Sequence, residues 1–405
     1  MPVLTRYLLA AIGARLADEG ARVAIVLLAI EQTGRASVGG LLVAALMVPH
    51  VAAAPLAGAA ADRARRRKPL YLSAFVIYAL SLTGAALLVG PVTWAAAILL
   101  LTGGCVAPLL FGGLSSLLRE LAPGDAGRAF GYDATTYSVA GITGPALAAV
   151  VAGFAGPAWS LVTLGAFALL GALAFLTLPL GMRPSWVRPE RISRPFSAVS
   201  VMIRKPRLAA VTATTGISQF GFGALPLAAA AIATARHDPP LTGLIMAVTA
   251  AGSLVGSLLT TRIPVVHRHP ERTLLICTAA MSVAFLPPVF LPGTWPLLAA
   301  AGLLMGPTTV ALFSVRDRES PPEVRTQVFT LGAGIKVTSA AAGAAAGGLL
   351  SGAGSAPLLA VIAGGQLVAA LTGVLILRRG RRPGDDHENS ALIDSRPRGN
   401  VVPKN

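Results

Sequence analysis

The chain alternates long apolar runs with short loops rich in Arg, Pro and Gly. A helix that crosses a bilayer needs about 20 mostly apolar residues. At that length the sequence divides into twelve spans: 7–30, 37–60, 70–90, 93–118, 129–154, 158–181, 208–234, 241–262, 273–292, 295–315, 327–350 and 355–377. Pro and Gly recur inside the spans, which membrane helices tolerate because neighbouring helices re-satisfy the freed backbone groups. The expected fold class is an all-α integral membrane protein.

Composition supports that pattern. Charged residues make up 12% of the 405, and the mean hydropathy is +0.71; a soluble domain carries about 25% charged residues. The net charge of +16 does not point to nucleic acid, because the cations sit in short loops between apolar runs. Those loops also set an orientation. Apart from Arg15, Arg22 and Lys336 within spans, only Arg35 and Arg236 fall outside the segments that share a side with the N-terminus. Lys and Arg concentrate on the cytoplasmic side, so both termini are expected there, in an inner (cell) membrane. Trp94, Trp159 and Trp295 fall at the opposite span ends, as an interfacial belt requires. Charges inside the first span argue against a cleavable signal peptide. Cys105 and Cys277 lie in apolar spans and read as small buried residues.

The sequence repeats itself. Arg6, Gly20 and Trp94 match Arg207, Gly221 and Trp295 at an offset of 201, and Phe130 and Gly144 match Phe329 and Gly343 at 199. The spacing predicts two six-helix halves, 1–181 and 208–378. A cytoplasmic linker, 182–207, joins them, and a polar, disordered cytoplasmic tail follows at 379–405.

One stretch carries a family pattern. Gly58-Ala-Ala-Ala-Asp62-Arg63-Ala-Arg65-Arg66-Arg67-Lys68 resembles the G-x-x-x-D-R-x-G-R-R/K loop of the major facilitator superfamily of secondary transporters, with Arg65 in place of the second Gly. The resemblance spans roughly residues 1–380, through helix number, orientation, repeat and motif. It implies two pseudo-symmetric halves that alternate access. It also makes Gly58, Asp62, Arg63, Arg66 and Arg67 a conformational latch. Gly141, Gly144 and Pro145 in the fifth span are similar to the antiporter signature G-x-x-x-G-P-x-x-G-G, with Ala at its first and last two small positions; the resemblance implies packing of the two halves and an efflux subtype. Small residues let helices approach and Pro bends them. The fourth span departs from efflux members: it has Leu99 and Leu100 where they carry an Arg.

Charges within spans mark the candidate chemistry, because each costs about 2.5–3.5 kcal/mol on insertion scales. Arg15, Asp18, Glu19 and Arg22 share one arc of the first helix at i,i+3 and i,i+4 spacings, so all four can neutralise one another. They form either a static ion lattice or a proton-coupling site. Lys336 stands alone roughly 13 Å inside the eleventh span, with the first-helix acids as candidate partners; its repeat counterpart is Tyr137. His50 lies at similar depth, and Gln219 matches Asp18 in the repeat. Asp133, beside Tyr132, lies one turn inside the fifth span, where it can stay hydrated. The five His are scattered and no HExxH or Walker-type loop occurs, so neither an enzyme, a metal site nor a cofactor is expected.

The reading is a monomeric secondary transporter exchanging protons for a small amphipathic molecule. The in-span charges weakly favour a neutral or anionic substrate. Alternatives are an uptake uniporter or symporter, or a non-transporting membrane sensor or scaffold.

Overall fold

Each long apolar run becomes a helix. The computed structural model describes residues 2–181, 196–238, 240–263 and 268–380. The first half comprises α1 (Val3–Thr33), α2 (Ala36–Arg63), α3 (Arg67–Leu88), α4 (Thr93–Pro108), α5 (Ala126–Ala155) and α6 (Pro157–Leu176). The second comprises α7 (Pro206–Gly223, resumed as Leu225–Ala235), α8 (Pro240–Thr260), α9 (Pro270–Phe290), α10 (Leu298–Glu319), α11 (Arg325–Leu350) and α12 (Ser355–Gly380). Eleven of these are long and apolar enough to cross a membrane, and α1 is 31 residues long but carries four charges along its middle. No strand occurs among the described residues.

Local irregularities follow from proline and glycine. Pro226 has no N–H to donate to Phe222, and α7 breaks beside it at Ala224. Pro108 likewise cannot bond to Gly104, and α4 passes into a wide π-turn, Leu109–Gly113, before ending at Ser116. The span pattern gave no sign of that turn. Nor did it separate the 3-10 segment Pro292–Leu297 from α10. Gly34 closes α1 in a left-handed conformation at φ 67°, its N–H bonding to the carbonyl of Ile30.

The sequence repeat is legible in the packing. α1 packs on α5 and α6, α2 on α4, and α3 on both α4 and α6; each pairing recurs six helices later among α7–α12. Glycines make the crossings close. A Cβ on Gly144 would sit 2.9 Å from the backbone of both Gly20 and Leu16, and one on its repeat mate Gly343 would strike the carbonyl of Phe220 on α7. The halves meet where α2 lies on α11 and α5 on α8, two contacts that the same repeat relates.

From the segment between the halves, Ser197–Arg204 forms a short helix that buries Ala198 and Met202 and packs against α7 and α11. Residues 182–195, the loop containing His267, and the tail from 381 onward lie outside the described residues.

Candidate transport site and latch

The four charges of α1 divide into two sets. Arg15 turns away from Glu19 and Asp18 and pairs with Asp133 of α5 at 2.8 Å, both side chains fully buried. Asp133 also accepts hydrogen bonds from Tyr7 and Ser115, each at 2.7 Å. Arg15 donates further to the Asp133 carbonyl, to Ser115 and to Thr136, and its guanidinium lies 3.5 Å from the centroid of the Tyr137 ring. This corrects two expectations: Arg15 does not belong to a self-neutralising helix face, and Asp133 is not hydrated. A charge taken from water needs a well-placed partner and satisfied lone pairs. The network supplies both and ties α1, α4 and α5 together.

The second set is more open. Arg22 bridges Asp18 at 2.5 Å and Glu19 at 3.0 Å, and Tyr78 donates to the other Asp18 oxygen at 2.7 Å. Asp18 is 7% exposed, whereas Glu19 and Arg22 remain 30% and 33% exposed. Two carboxylates share one guanidinium, so with both ionised the cluster carries a net charge of −1. Either acid can take a proton while the other still neutralises Arg22. His50 lies within electrostatic reach of Asp18 and Arg22 and packs on Phe111, with ring centroids 5.5 Å apart.

Lys336 does not meet these acids. It is half-buried and makes no ion pair among the described residues. Its charged neighbour is Arg316 of α10. Arg316 falls three residues before the helix end, and sequence position alone assigned it to a basic loop; the structure buries it to 1% exposure. Gln219 is half-buried and makes no hydrogen bond among the described residues; the buried polar pair near it is Ser218 with Gln366, 2.6 Å apart. Tyr137, the repeat mate of Lys336, stands beneath Arg15 instead.

Aromatic rings from several helices meet between the halves. Phe313 of α10 packs on Phe130 and Tyr137 of α5 and on Phe329 of α11, with centroids 5.9–6.1 Å apart; Phe111 of the π-turn reaches Tyr137 at 6.4 Å. No periodicity within one span could reveal this layer, because each helix contributes only one or two rings. The π-turn permits it: a Cβ on Gly112 would sit 2.7 Å from the carbonyl carbon of Phe329.

Below this layer, at the end carrying the Arg-rich loops, the halves are bolted together. Asp62 of α2 is 1% exposed and accepts the backbone N–H groups of Thr326 at 3.1 Å and Gln327 at 3.0 Å. These belong to the first turn of α11, where N–H groups lack intrahelical partners and the helix dipole favours an anion. Gly58, one turn earlier, lets α11 approach; a Cβ there would sit 2.6 Å from the Cα of Gln327. Arg119 of the α4–α5 connection reaches Asp317 of α10 at 2.8 Å. Arg67 pairs with Glu120 inside the first half, while Arg63 and Arg66 are exposed.

A Cβ on Gly141, Gly153 or Gly243 would meet nothing within 4 Å. Of the helix 5 signature, only Gly144 is at a tight crossing, and it packs against α1 of its own half rather than across the halves. Pro145 is half-buried beside it. No group of three or more His, Cys, Asp or Glu gathers to hold a metal among the described residues.

Comparison with known proteins agrees with this architecture. The Major Facilitator Superfamily profile matches residues 7–225. An uncharacterized MFS-type transporter, y4rN, of Sinorhizobium fredii (strain NBRC 101917 / NGR234) is 28% identical over 379 residues, covering 86% of this chain and 89% of that protein. Two crystal structures share the fold. The human organic anion transporter MFSD10 (TETRAN) superposes with a TM-score of 0.74 at 19% identity, over 92% of this chain and all of that one. A bacterial homologue of the iron transporter ferroportin, in its outward-facing state with soaked iron, gives 0.70 at 15% identity, over 93% of this chain and 99% of that one. With its two halves of six helices, the bolted Asp62 motif and a charged interior between them, the chain belongs to the major facilitator superfamily and is a multi-pass membrane transporter.

Proposed function

We propose that the protein is a proton-coupled antiporter that expels a small amphipathic molecule across the inner membrane, with both termini cytoplasmic. The halves, 1–181 and 208–378, rock about the substrate within a single chain acting as a monomer. The observation that carries this reading is the Asp18–Glu19–Arg22 cluster, with two acids on one cation and Glu19 30% exposed. Glu19 is the proton carrier: it is accessible, and its protonation leaves Arg22 paired to Asp18. Cluster charge then differs between loaded and empty states, which gives the proton a differential effect on the two conformations. Asp62, seated on the first turn of α11, supports a latch that closes the cytoplasmic end in this state.

The test uses purified protein in liposomes with a pH-sensitive dye inside, screened against a compound library. Substrate added on one side should drive protons the opposite way. Proton movement in the same direction as substrate would support symport instead. Substrate exchange with no proton movement would remove coupling from the account.

A further inference from the structure

We propose that Arg316 and Lys336, beside Tyr137, form the binding site for the anionic group of an amphipathic organic anion. The proposal rests on the transport reading above and names its substrate class.

The geometry begins with Gly332. A Cβ there would collide with the Arg316 guanidinium, so that group lies flat on the α11 backbone. Lys336 is one turn further along the same face of α11, about 6 Å along the axis. Phe329, seven residues before Lys336, shares that face and packs on Phe130 and Phe313 between the halves. Lys336 therefore points into the space between the halves, and its partial exposure opens there rather than to lipid, where a cation is costly.

Neither cation is compensated. Arg316 makes no ion pair or hydrogen bond among the described residues, and its Nε is buried without a partner. The acids buried between and within the helices are engaged elsewhere: Asp133 holds Arg15, Asp317 holds Arg119 and Arg325, and Asp18 and Glu19 hold Arg22. Arg15, the other cation at Tyr137, shows the contrast. It is equally buried, and although its Nε also lacks a partner, its terminal nitrogens are paired with Asp133, Ser115 and Thr136. Two uncompensated cations at one site cost folding stability unless a ligand supplies the missing charge. A guanidinium binds carboxylate or phosphate through paired N–H donors, and the ammonium adds a point charge. Phe313, three residues before Arg316, and Tyr137 supply aromatic walls for the apolar part of such a ligand.

The experiment is thermal unfolding of the purified full-length protein in detergent. The probes are benzoate, 1-naphthoate and phenylphosphonate, each against its neutral amide or ester. At least one anion should raise the unfolding temperature while its neutral counterpart does not, and Arg316→Met and Lys336→Met should each abolish that rise. Without ligand, both variants should be as stable as the parent or more so, because an uncompensated charge has been removed. No anion-selective rise across the panel, or one that persists in both variants, overturns the site. An Arg316→Met protein that unfolds earlier marks Arg316 as a structural residue, and it overturns the site if Lys336→Met retains the full anion response. The two readings fail separately. Anion binding without any proton-linked flux in liposomes removes the transport mechanism but keeps the site. Flux of neutral or cationic compounds that Arg316→Met leaves unchanged removes the site and keeps transport.

Discussion

Asp62 on α2 accepts the backbone N–H of Thr326 on α11 at 3.1 Å. The two residues lie in opposite halves, so this bond exists only while the Arg-rich end is closed. It is a helix cap supplied from another half of the molecule, and capping bonds of this kind contribute about 0.5–2 kcal/mol. A contribution of that size shifts a two-state balance by several-fold without threatening the fold.

Asp62→Asn retains one acceptor oxygen and loses the charge. The variant should express and unfold normally, while transport in proteoliposomes slows several-fold as the closed state becomes less populated. Parent-like turnover would reduce the 58–68 run to a topology signal.

The Arg15–Asp133 pair is predicted to be structural. Asp133→Asn leaves Arg15 buried and uncompensated, a defect of about 3–5 kcal/mol, and thermal unfolding in detergent should shift markedly downward. Adding Arg15→Met should recover much of that loss. Additive losses in the double variant would show that the two side chains act independently.

The acids of the other cluster should behave unequally. Glu19→Gln leaves Arg22 paired to Asp18, so stability should change little while proton flux uncouples from substrate exchange. Asp18→Asn leaves Arg22 only the more exposed Glu19 and weakens the acceptor of Tyr78, so it should cost more stability than Glu19→Gln. Intact coupling in Glu19→Gln would assign the proton to another group.

Gly144→Leu should be among the most damaging single changes, because even a Cβ there sits 2.9 Å from the α1 backbone. Gly141→Leu, by contrast, faces open space and should leave thermal stability near that of the parent. Equal losses in both would mean that the helix 5 signature packs as one unit in another state.

These contrasts show where the sequence was legible. The helices were, because spanning a bilayer demands length and apolarity within one segment. Gly58 and Asp62 were marked by one contiguous motif, but their seat on the first turn of α11, 264 residues away, was not. Arg15 was not: an i,i+4 acid stood next to it on the helix, and nothing in the spacing revealed that Asp133, 118 residues away, offered a drier and better-bonded site. Arg316 was hidden for a related reason. Three residues from a helix end, a cation reads as solvated, and only the approach of α11 at Gly332 buries it. The aromatic layer and the π-turn arise where several helices meet, which no single span encodes.

Asp62 and α11 hold the Arg-rich end shut, and alternating access requires the opposite end to be open in that state and to close when the Arg-rich end opens. Spin-label distances measure this directly. One label pair spans α2 and α11 at the Arg-rich end, and a second spans α5 and α8 at the opposite end, in lipid. The account predicts a short distance in the first pair and a long one in the second, with Asp62→Asn lengthening the first and shortening the second together. Distances that stay fixed in both pairs, or lengthen at both ends at once, would contradict it.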